Sequence, residues 1–262
     1  MSTDRTVLIT GSTDGLGKRV AEKLAAPGLH LLVHGRDAAR GKAVVDSIKS
    51  AGGTAQFFEA DFASLAAVRR LAQAVRAEHA QLDVLINNAG IAKVRGPRQL
   101  STDGFELHFA VNYLAPFLLT QLLSTRLGSA VINVVSAGQS AIKFDDVMLE
   151  RGYNGIRAYG QSKLAEVMFT FDLAEELRGR NVSVNCLHPG TYIDTAMVRD
   201  AGIKPITPVD TAAEAVIALA NLTGTTGRYF DGTHEARANA QAYDPVARQR
   251  LRNLTVQQVN LL

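Results

Sequence analysis

Short apolar runs rich in β-branched residues and leucine alternate along this chain with longer stretches whose apolar positions recur at helical spacing. Thr6 to Thr10 (TVLIT), His30 to Val33, Ala55 to Glu59, Val84 to Ile86, Ala130 to Val135 and Val182 to Leu187 read as buried strands. Gly17 to Ala26, Ala38 to Ser50, Leu65 to His79 and Arg157 to Leu177 carry the helical period between them. A strand such as AVINVV, apolar on both sides, needs cover on both faces. Strand–helix alternation supplies that cover, so the pattern predicts an α/β fold around a parallel sheet. The tail from Ala236 to Leu262 reads as helical and ends in VNLL. No Pro- or Ser-rich linker divides the chain and no repeat is present, so residues 1–262 read as a single domain.

Composition narrows the classes. Of 262 residues, 47% are hydrophobic and 20% charged, enough to bury a large core and too apolar for a disordered chain. Twenty-eight basic residues against 25 acidic leave a net charge of +3, and the basic residues are scattered, so no nucleic-acid partner is expected. The single cysteine, Cys186, excludes an internal disulfide and suits a reducing compartment. It falls within a strand pattern, the place of a small core residue. The longest apolar stretch, Phe109 to Leu123, is interrupted by Asn112, Tyr113, Pro116, Thr120 and Gln121, so no membrane span is expected. A strand pattern begins almost at once, leaving no room for a signal peptide, and the expected location is cytoplasmic. The six histidines have no metal-ligand spacing; no metal is expected, and His188 reads as structural.

Chemistry concentrates where strands end, which is where open α/β sheets bind ligands. After the first strand comes Thr10-Gly11-Ser12-Thr13-Asp14-Gly15-Leu16-Gly17, followed directly by a helix. Glycines there permit a tight turn and let backbone N–H groups approach a pyrophosphate at the helix N-terminus. The spacing is G-x-x-x-G-x-G, and a purely structural glycine turn is the competing reading. Arg36, nineteen residues beyond Gly17, stands where an arginine would favour the 2′-phosphate of NADP and an acidic residue would favour NAD. Asp37 follows it and either blurs that choice or caps the next helix. Asp61-Phe62 closes the third strand; the Asp61 carboxylate could accept from an adenine amino group or serve the helix start at Ser64. Ile91 to Ser101, with Lys93, Arg95 and Arg98, and Gln139 to Ile156 read as irregular loops, either solvated or lining a ligand.

Tyr159 and Lys163 are four apart in a helical stretch and share one face. A phenol ordinarily ionises near pH 10 and exchanges protons poorly at neutral pH; a fixed ammonium beside it stabilises the phenolate. Ser136 closes the strand AVINVV, where its hydroxyl could hydrogen-bond a carbonyl that becomes an alkoxide. Asn87-Asn88-Ala89-Gly90 and Pro189-Gly190 close two further strands with polar or small residues.

These pieces, TGSTDGLG, Asp61, NNAG, Asn112, Ser136, Tyr159-x-x-x-Lys163 and Pro189-Gly190, resemble the short-chain dehydrogenase/reductase family in order and spacing over nearly the whole chain. The stretches AYGQSKLAEVMFTFDLAEEL and AVNYLAPFLLT, and the long interval from Ser136 to Tyr159, are similar to its retinol-dehydrogenase-like branch. Val135, where the family often has serine, and a short helix-to-strand link at Leu127-Gly128 depart from the pattern. The resemblance implies a Rossmann-like doubly wound parallel sheet with helices on both faces, and a catalytic tetrad of Asn112, Ser136, Tyr159 and Lys163. It also implies a nicotinamide cofactor, NADP with NAD as the alternative. The cofactor would be held by the glycine loop (Gly11, Ser12, Thr13, Gly15, Leu16, Gly17), Arg36, Asp61, Phe62, Asn88, Ala89, Gly90 and the residues Pro189, Gly190, Thr191, Ile193 and Thr195, beside Tyr159 and Lys163. The expected partner is a small-molecule carbonyl or alcohol, and a homodimer or homotetramer is compatible with it. A catalytically silent dinucleotide-binding protein on the same fold is the alternative, since a fold does not establish chemistry. A sugar-nucleotide epimerase fits less well, because the chain after Pro189-Gly190 is short for a separate substrate domain. The resemblance further assigns Asn112 to holding a water behind Lys163. Pro116, which lacks an N–H, would free the Asn112 carbonyl for that water, or would simply bend a core helix.

Overall fold

The computed structural model describes residues 5–261; the other residues of the expected domain, including the last leucine of VNLL, lie outside them. Eight strands form one sheet: β1 (Arg5–Ile9), β2 (Leu29–Gly35), β3 (Thr54–Glu59), β4 (Leu82–Asn87), β5 (Leu127–Val134), β6 (Ser183–His188), β7 (Arg228–Asp231) and β8 (His234–Ala236). Their order is β3-β2-β1-β4-β5-β6-β7-β8, with every neighbouring pair parallel except β7 and β8. From β1 the chain moves outward through β2 and β3, then returns to lay β4 on the other side of β1. That reversal opens a crevice at the C-terminal ends of β1 and β4.

Both faces of the sheet are buried. On β1, Val7 and Ile9 enter one apolar cluster and Leu8 the other, because successive side chains of a strand point to opposite faces. One face is covered by α1 (Gly15–Leu24), α2 (Ala38–Ser50) and, near the far edge, α8 (Val209–Ala220). The opposite face is covered by α3 (Leu65–Glu78), by a composite run, and by α6 (Gly155–Glu176). The composite run is α4 (Leu107–Phe109), a π-turn (Ala110–Leu114), α5 (Ala115–Leu123) and a 3₁₀ turn (Ser124–Arg126). A short α7 (Ala196–Asp200) and a C-terminal α9 (Pro245–Gln258) complete the helices. Starts are set by side chains that accept the first free N–H groups: Asp14 for α1, Asp37 for α2, Ser64 for α3 and Asn154 for α6.

Three expectations need correction. The tail expected to be helical from Ala236 has β8 ending at that residue, a 3₁₀ turn at Ala240–Tyr243, and α9 only from Pro245, where Asp244 caps and proline occupies the first turn. The strands β7 and β8, four and three residues long, are too short for a period to register in the sequence. The run Leu107–Arg126 is long and apolar enough, by length and composition, to cross a membrane, contrary to the expectation from its polar interruptions. Here 78% of that window is buried within the fold, and its polar side chains Asn112, Tyr113 and Thr120 hydrogen-bond inside the core.

Candidate active site

The glycine loop leaves β1 and turns into α1 with Gly11 and Gly15 at positive φ, 63° and 53°. A side chain on Gly11 would place its Cβ 2.8 Å from the Ala89 backbone, and one on Gly17 would overlap Asn88 and the Gly11 carbonyl. Thus the first and last glycines let two strand ends touch. Asn88 seals this junction: its side-chain amide donates to the carbonyls of Thr10 and Gly11, while Thr10 Oγ1 accepts from the N–H groups of Asn88 and Ala89. Asp14 occupies only the Gly15 N–H, which leaves the following N–H groups of the first turn available to an anion. Across from Gly15, Thr195 Cγ2 would lie 3.3 Å from an added Cβ, so the segment after β6 folds over the mouth of the loop. Gly190 within that segment has φ 147°, and a Cβ there would press on Thr207 at 2.6 Å. Pro189 is buried, Thr191 is exposed, and Ile193 is bridged to Thr207.

Two expected cofactor contacts face inward. The Ser12 hydroxyl donates to the Ile9 carbonyl and accepts from the His34 N–H, so it is consumed by the sheet. The Phe62 ring is buried and stacked on His34 at 4.5 Å, leaving its main chain as the part able to meet a nucleotide. Leu16 is buried beneath the loop, and Thr13 lies against Gly35 at the end of β2. Arg36 and Asp61 are exposed side by side, 3.7 Å apart, on the rim where β2 and β3 end. Asp37 caps α2 by accepting the Arg40 N–H, the second of its two expected readings. Asp61 accepts the Ala63 N–H, while Ser64 itself caps α3 through the Ala67 N–H.

The candidate reacting centre is assembled from four elements. α6 carries Tyr159 and Lys163; the end of β5 carries Ser136; the π-turn carries Asn112; and the end of β4 supplies Gly90 as the floor. A Cβ on Gly90 would lie 3.2 Å from Asn112 Oδ1 and 3.6 Å from Lys163 Nζ. One on Gly138 would lie 3.4 Å from Ser136 Oγ and 3.9 Å from Tyr159 Cε1. The four expected catalytic side chains therefore fall in two pairs, Asn112 with Lys163 at Gly90 and Ser136 with Tyr159 at Gly138. The Asn112 amide is fixed three ways: it accepts the Ile91 N–H and donates to the Ile91 carbonyl and to Ser162 Oγ, which in turn donates to the Tyr159 carbonyl. Ser136 Oγ accepts the Gly138 N–H, leaving its own hydrogen for another oxygen.

The helix around Asn112 widens. The Ala115 N–H reaches back five residues to the Ala110 carbonyl, immediately before Pro116, so the expected bend takes the form of a π-turn.

Several residues at this centre were not read from sequence. Lys163 Nζ donates to the Val134 carbonyl at 2.8 Å and to Glu166 Oε2 at 2.9 Å, with Glu166 1% exposed. Burial pushes the Glu166 carboxyl up to about 7, against the pull of Lys163. The available signal was one acidic residue inside the apolar stretch KLAEVMF of a helix buried almost all round. Beside Tyr159 a second buried pair joins His108 Nδ1 to Glu106 Oε1 at 2.8 Å, with the His108 ring edge-on to Tyr159 at 6.4 Å. Burial alone would raise the Glu106 carboxyl, but hydrogen bonds from His108 and the Phe109 N–H hold it below the usual range. Burial and the Glu106 charge push Tyr153, which donates to Glu106, up to about 12. His188 is buried, paired with Thr191 Oγ1 at 3.2 Å and lowered by that burial, while Cys186 is fully buried with its thiol pushed up.

With the geometry described, comparison with known proteins is informative. A family model for the short chain dehydrogenases matches residues 5–205. Human retinol dehydrogenase 14 is 36% identical over 98% of this chain and 87% of its own length. Among solved structures, an uncharacterized protein from Mycobacterium paratuberculosis superposes with a TM-score of 0.81 at 31% identity, covering 98% of this chain and 94% of the other. A short chain dehydrogenase from Burkholderia cenocepacia in complex with NADP superposes with a TM-score of 0.72 at 27% identity, covering 87% and 96%. The Gly11–Ala89 contact, the open first turn of α1 and Thr195 opposite Gly15 fit a nicotinamide dinucleotide laid across the β1/β4 crevice. The chain belongs to the short-chain dehydrogenase/reductase family, beside the retinol dehydrogenases, and is an oxidoreductase acting on alcohol and carbonyl groups.

Proposed function

We propose that this chain interconverts a small or medium apolar alcohol and its carbonyl, prefers NADP(H) over NAD(H), and uses Tyr159 as general acid and base. The observation that carries this reading is the convergence of Ser136 with Tyr159 at Gly138 and of Asn112 with Lys163 at Gly90. Bound in the crevice, a nicotinamide cofactor supplies or accepts hydride. In reduction, Ser136 Oγ donates a hydrogen bond to the carbonyl oxygen and Tyr159 Oη delivers the proton to that oxygen as it becomes an alkoxide. In oxidation the same phenol oxygen takes the proton from the alcohol. Lys163 holds its ammonium beside Gly90 and one turn from Tyr159. Asn112 keeps the π-turn in register with α6 through Ser162. A catalytically silent binder has no use for both Ser136 and Tyr159 beside one glycine.

NADP(H) preference is supported by Arg36, whose side chain is 69% exposed at the rim and, among the described residues, is paired with the solvated Asp61. Apolar substrates are supported by exposed large hydrophobic side chains on the elements that flank the site: Ile156, one turn before Tyr159 on α6, and Tyr192, Met197 and Ile206 on the segment after β6, each about half exposed or more. The similar human protein is named for retinol, an apolar alcohol. A screen of NADPH and NADH oxidation and their reverse over ketones, aldehydes, quinones and the matching alcohols tests the reading. Turnover of sugar nucleotides with none of these compounds accepted would overturn it.

A further inference from the structure

Lys163 is seated on a carboxylate that the Tyr–Ser–Lys–Asn chemistry does not require. Glu166 lies one turn after it on α6, 1% exposed, with Oε2 2.9 Å from Nζ. The Val134 carbonyl takes a second ammonium hydrogen at 2.8 Å, and the Gly90 floor is on the cleft side. The other groups near Glu166 are neutral. β6 brings the Cys186 thiol, kept protonated by burial and by the Glu166 charge; Thr170 donates to the Glu166 carbonyl, with Asn133 of β5 behind it. Among the described residues, Lys163 is the charged group that acts on this carboxyl. Stability does not account for the pair, because apolar side chains of similar volume usually serve a core at least as well as a buried ion pair.

We propose that Glu166 is a positioning residue of the reaction: a buried counter-ion that fixes the direction and charge of the Lys163 ammonium and so sets the pH range over which Tyr159 exchanges its proton. The inference rests on the reading of Tyr159 as the general acid and base. A negative charge makes proton release harder for its neighbours, so Glu166 moves both ends of that range upward. Tyr159 is seven residues away on the same helix, about 10 Å along the axis. Burial pushes Glu166 up to about 7, so Glu166→Gln copies its acid form, and variant and wild type diverge as pH rises past that value.

The test compares Glu166→Gln and Glu166→Ala with the wild-type full chain in alcohol oxidation across pH. In Glu166→Gln each limb of the kcat profile that lies above pH 7 is expected to move to lower pH by about 0.5 to 1 unit, while the profile below pH 7 stays with the wild type. NADPH affinity should stay within about threefold, because the amide oxygen still accepts from Nζ. Glu166→Ala should lose about tenfold in kcat, the amide variant recovering most of it. A second readout needs neither substrate nor cofactor. Phenolate absorbance, taken as the difference between each protein and its Tyr159→Phe counterpart, should show the same acid shift in Glu166→Gln. Unshifted limbs with an unshifted phenolate titration would overturn the proposal, as would equal losses in both variants with no change in pH profile. If Glu166→Ala fails to fold, Glu166→Gln decides alone. Full turnover in Tyr159→Phe would instead sink the general acid and base reading.

Discussion

One oxygen atom on Tyr159 separates the proposed enzyme from a binding protein. Tyr159→Phe keeps the ring against Gly138 and the edge contact with His108, so cofactor affinity should hold within about twofold while kcat falls by roughly 10²- to 10⁴-fold. Titrating NADPH by fluorescence beside steady-state turnover separates the two. Lys163→Ala should damage both, since one ammonium serves the phenol and the cleft. At the other end of the crevice, Arg36→Ala should lower kcat/KM with NADPH about tenfold and leave NADH nearly unchanged. The exposed Arg36–Asp61 pair is worth too little to hold Arg36 away from a phosphate. An unchanged cofactor ratio would remove Arg36 from phosphate reading. Ser136, Tyr159 and Lys163 were legible as candidates because they stand at a strand end and at one helical spacing, both of which sequence displays, whereas Asn112 came only with the family resemblance. Glu166 was not legible, because only tertiary burial of α6 turns an ordinary helical acid into a counter-ion. The inward turn of the Ser12 hydroxyl and the Phe62 ring was not legible for a related reason: position in a loop does not say which way a side chain points.

Among the elements, the run from Leu107 to Arg126 has the most to explain. Its π-turn inserts the equivalent of one residue, which re-aims every side chain before it by about 100° relative to those after. That re-aiming sets Asn112 toward Gly90 and Ser162 while Phe117 and Leu118 keep facing the core. Pro116 stabilises the widening because it has no N–H with which to continue the tighter register. Pro116→Ala restores that donor, so kcat is expected to fall several-fold, with proton transfer slowed more than NADPH binding is weakened. Weaker binding at unchanged kcat would mean that the proline matters for packing alone. The proline was visible in the sequence, whereas the form of the bend was not, since kink and π-turn share one signal. The first six strands were legible from their apolar runs because both faces are buried. β7 and β8 escaped because four and three residues carry too little pattern, and β8 is largely solvated.

For the whole molecule, two buried titratable groups pull stability in opposite directions with pH. Burial lowers His34 to about 4, so the unfolded chain takes up a proton there that the folded chain refuses. This contribution is fully present above pH 6.5 and is lost as pH falls toward 4. Glu166, raised to about 7, keeps a proton that the unfolded chain releases near 4.5, so its contribution falls as pH rises from 4.5 to 7. The windows overlap and the two slopes offset. Because burial also lowers His188, which adds to the His34 side, urea unfolding should show wild-type stability rising only gently between pH 4.5 and 6.5. In Glu166→Gln stability should climb by roughly 2 kcal/mol over the same range; a level curve in the variant would refute the offset. α9 adds a distant clamp. Thr255 bonds the buried Tyr113 hydroxyl at 2.7 Å, Arg248 pairs with Asp172 and Glu175, and Arg69 holds the Val259 carbonyl. Leu251→Ala on that helix should cost about 2 to 4 kcal/mol in the same measurement. On the far side, α8 closes over α1: Val20 and Ala21 share a cluster with Ala212, Ala213 and Val216, Arg19 and Lys23 pair with Asp210, and Arg5 bonds Asn221. A ribosome delivers α1 first and its cover nearly two hundred residues later. The glycine loop is thus translated long before α8 closes beside it, and a nascent chain carries an open apolar face on α1 until α8 emerges, an interval in which a chaperone has that face to bind.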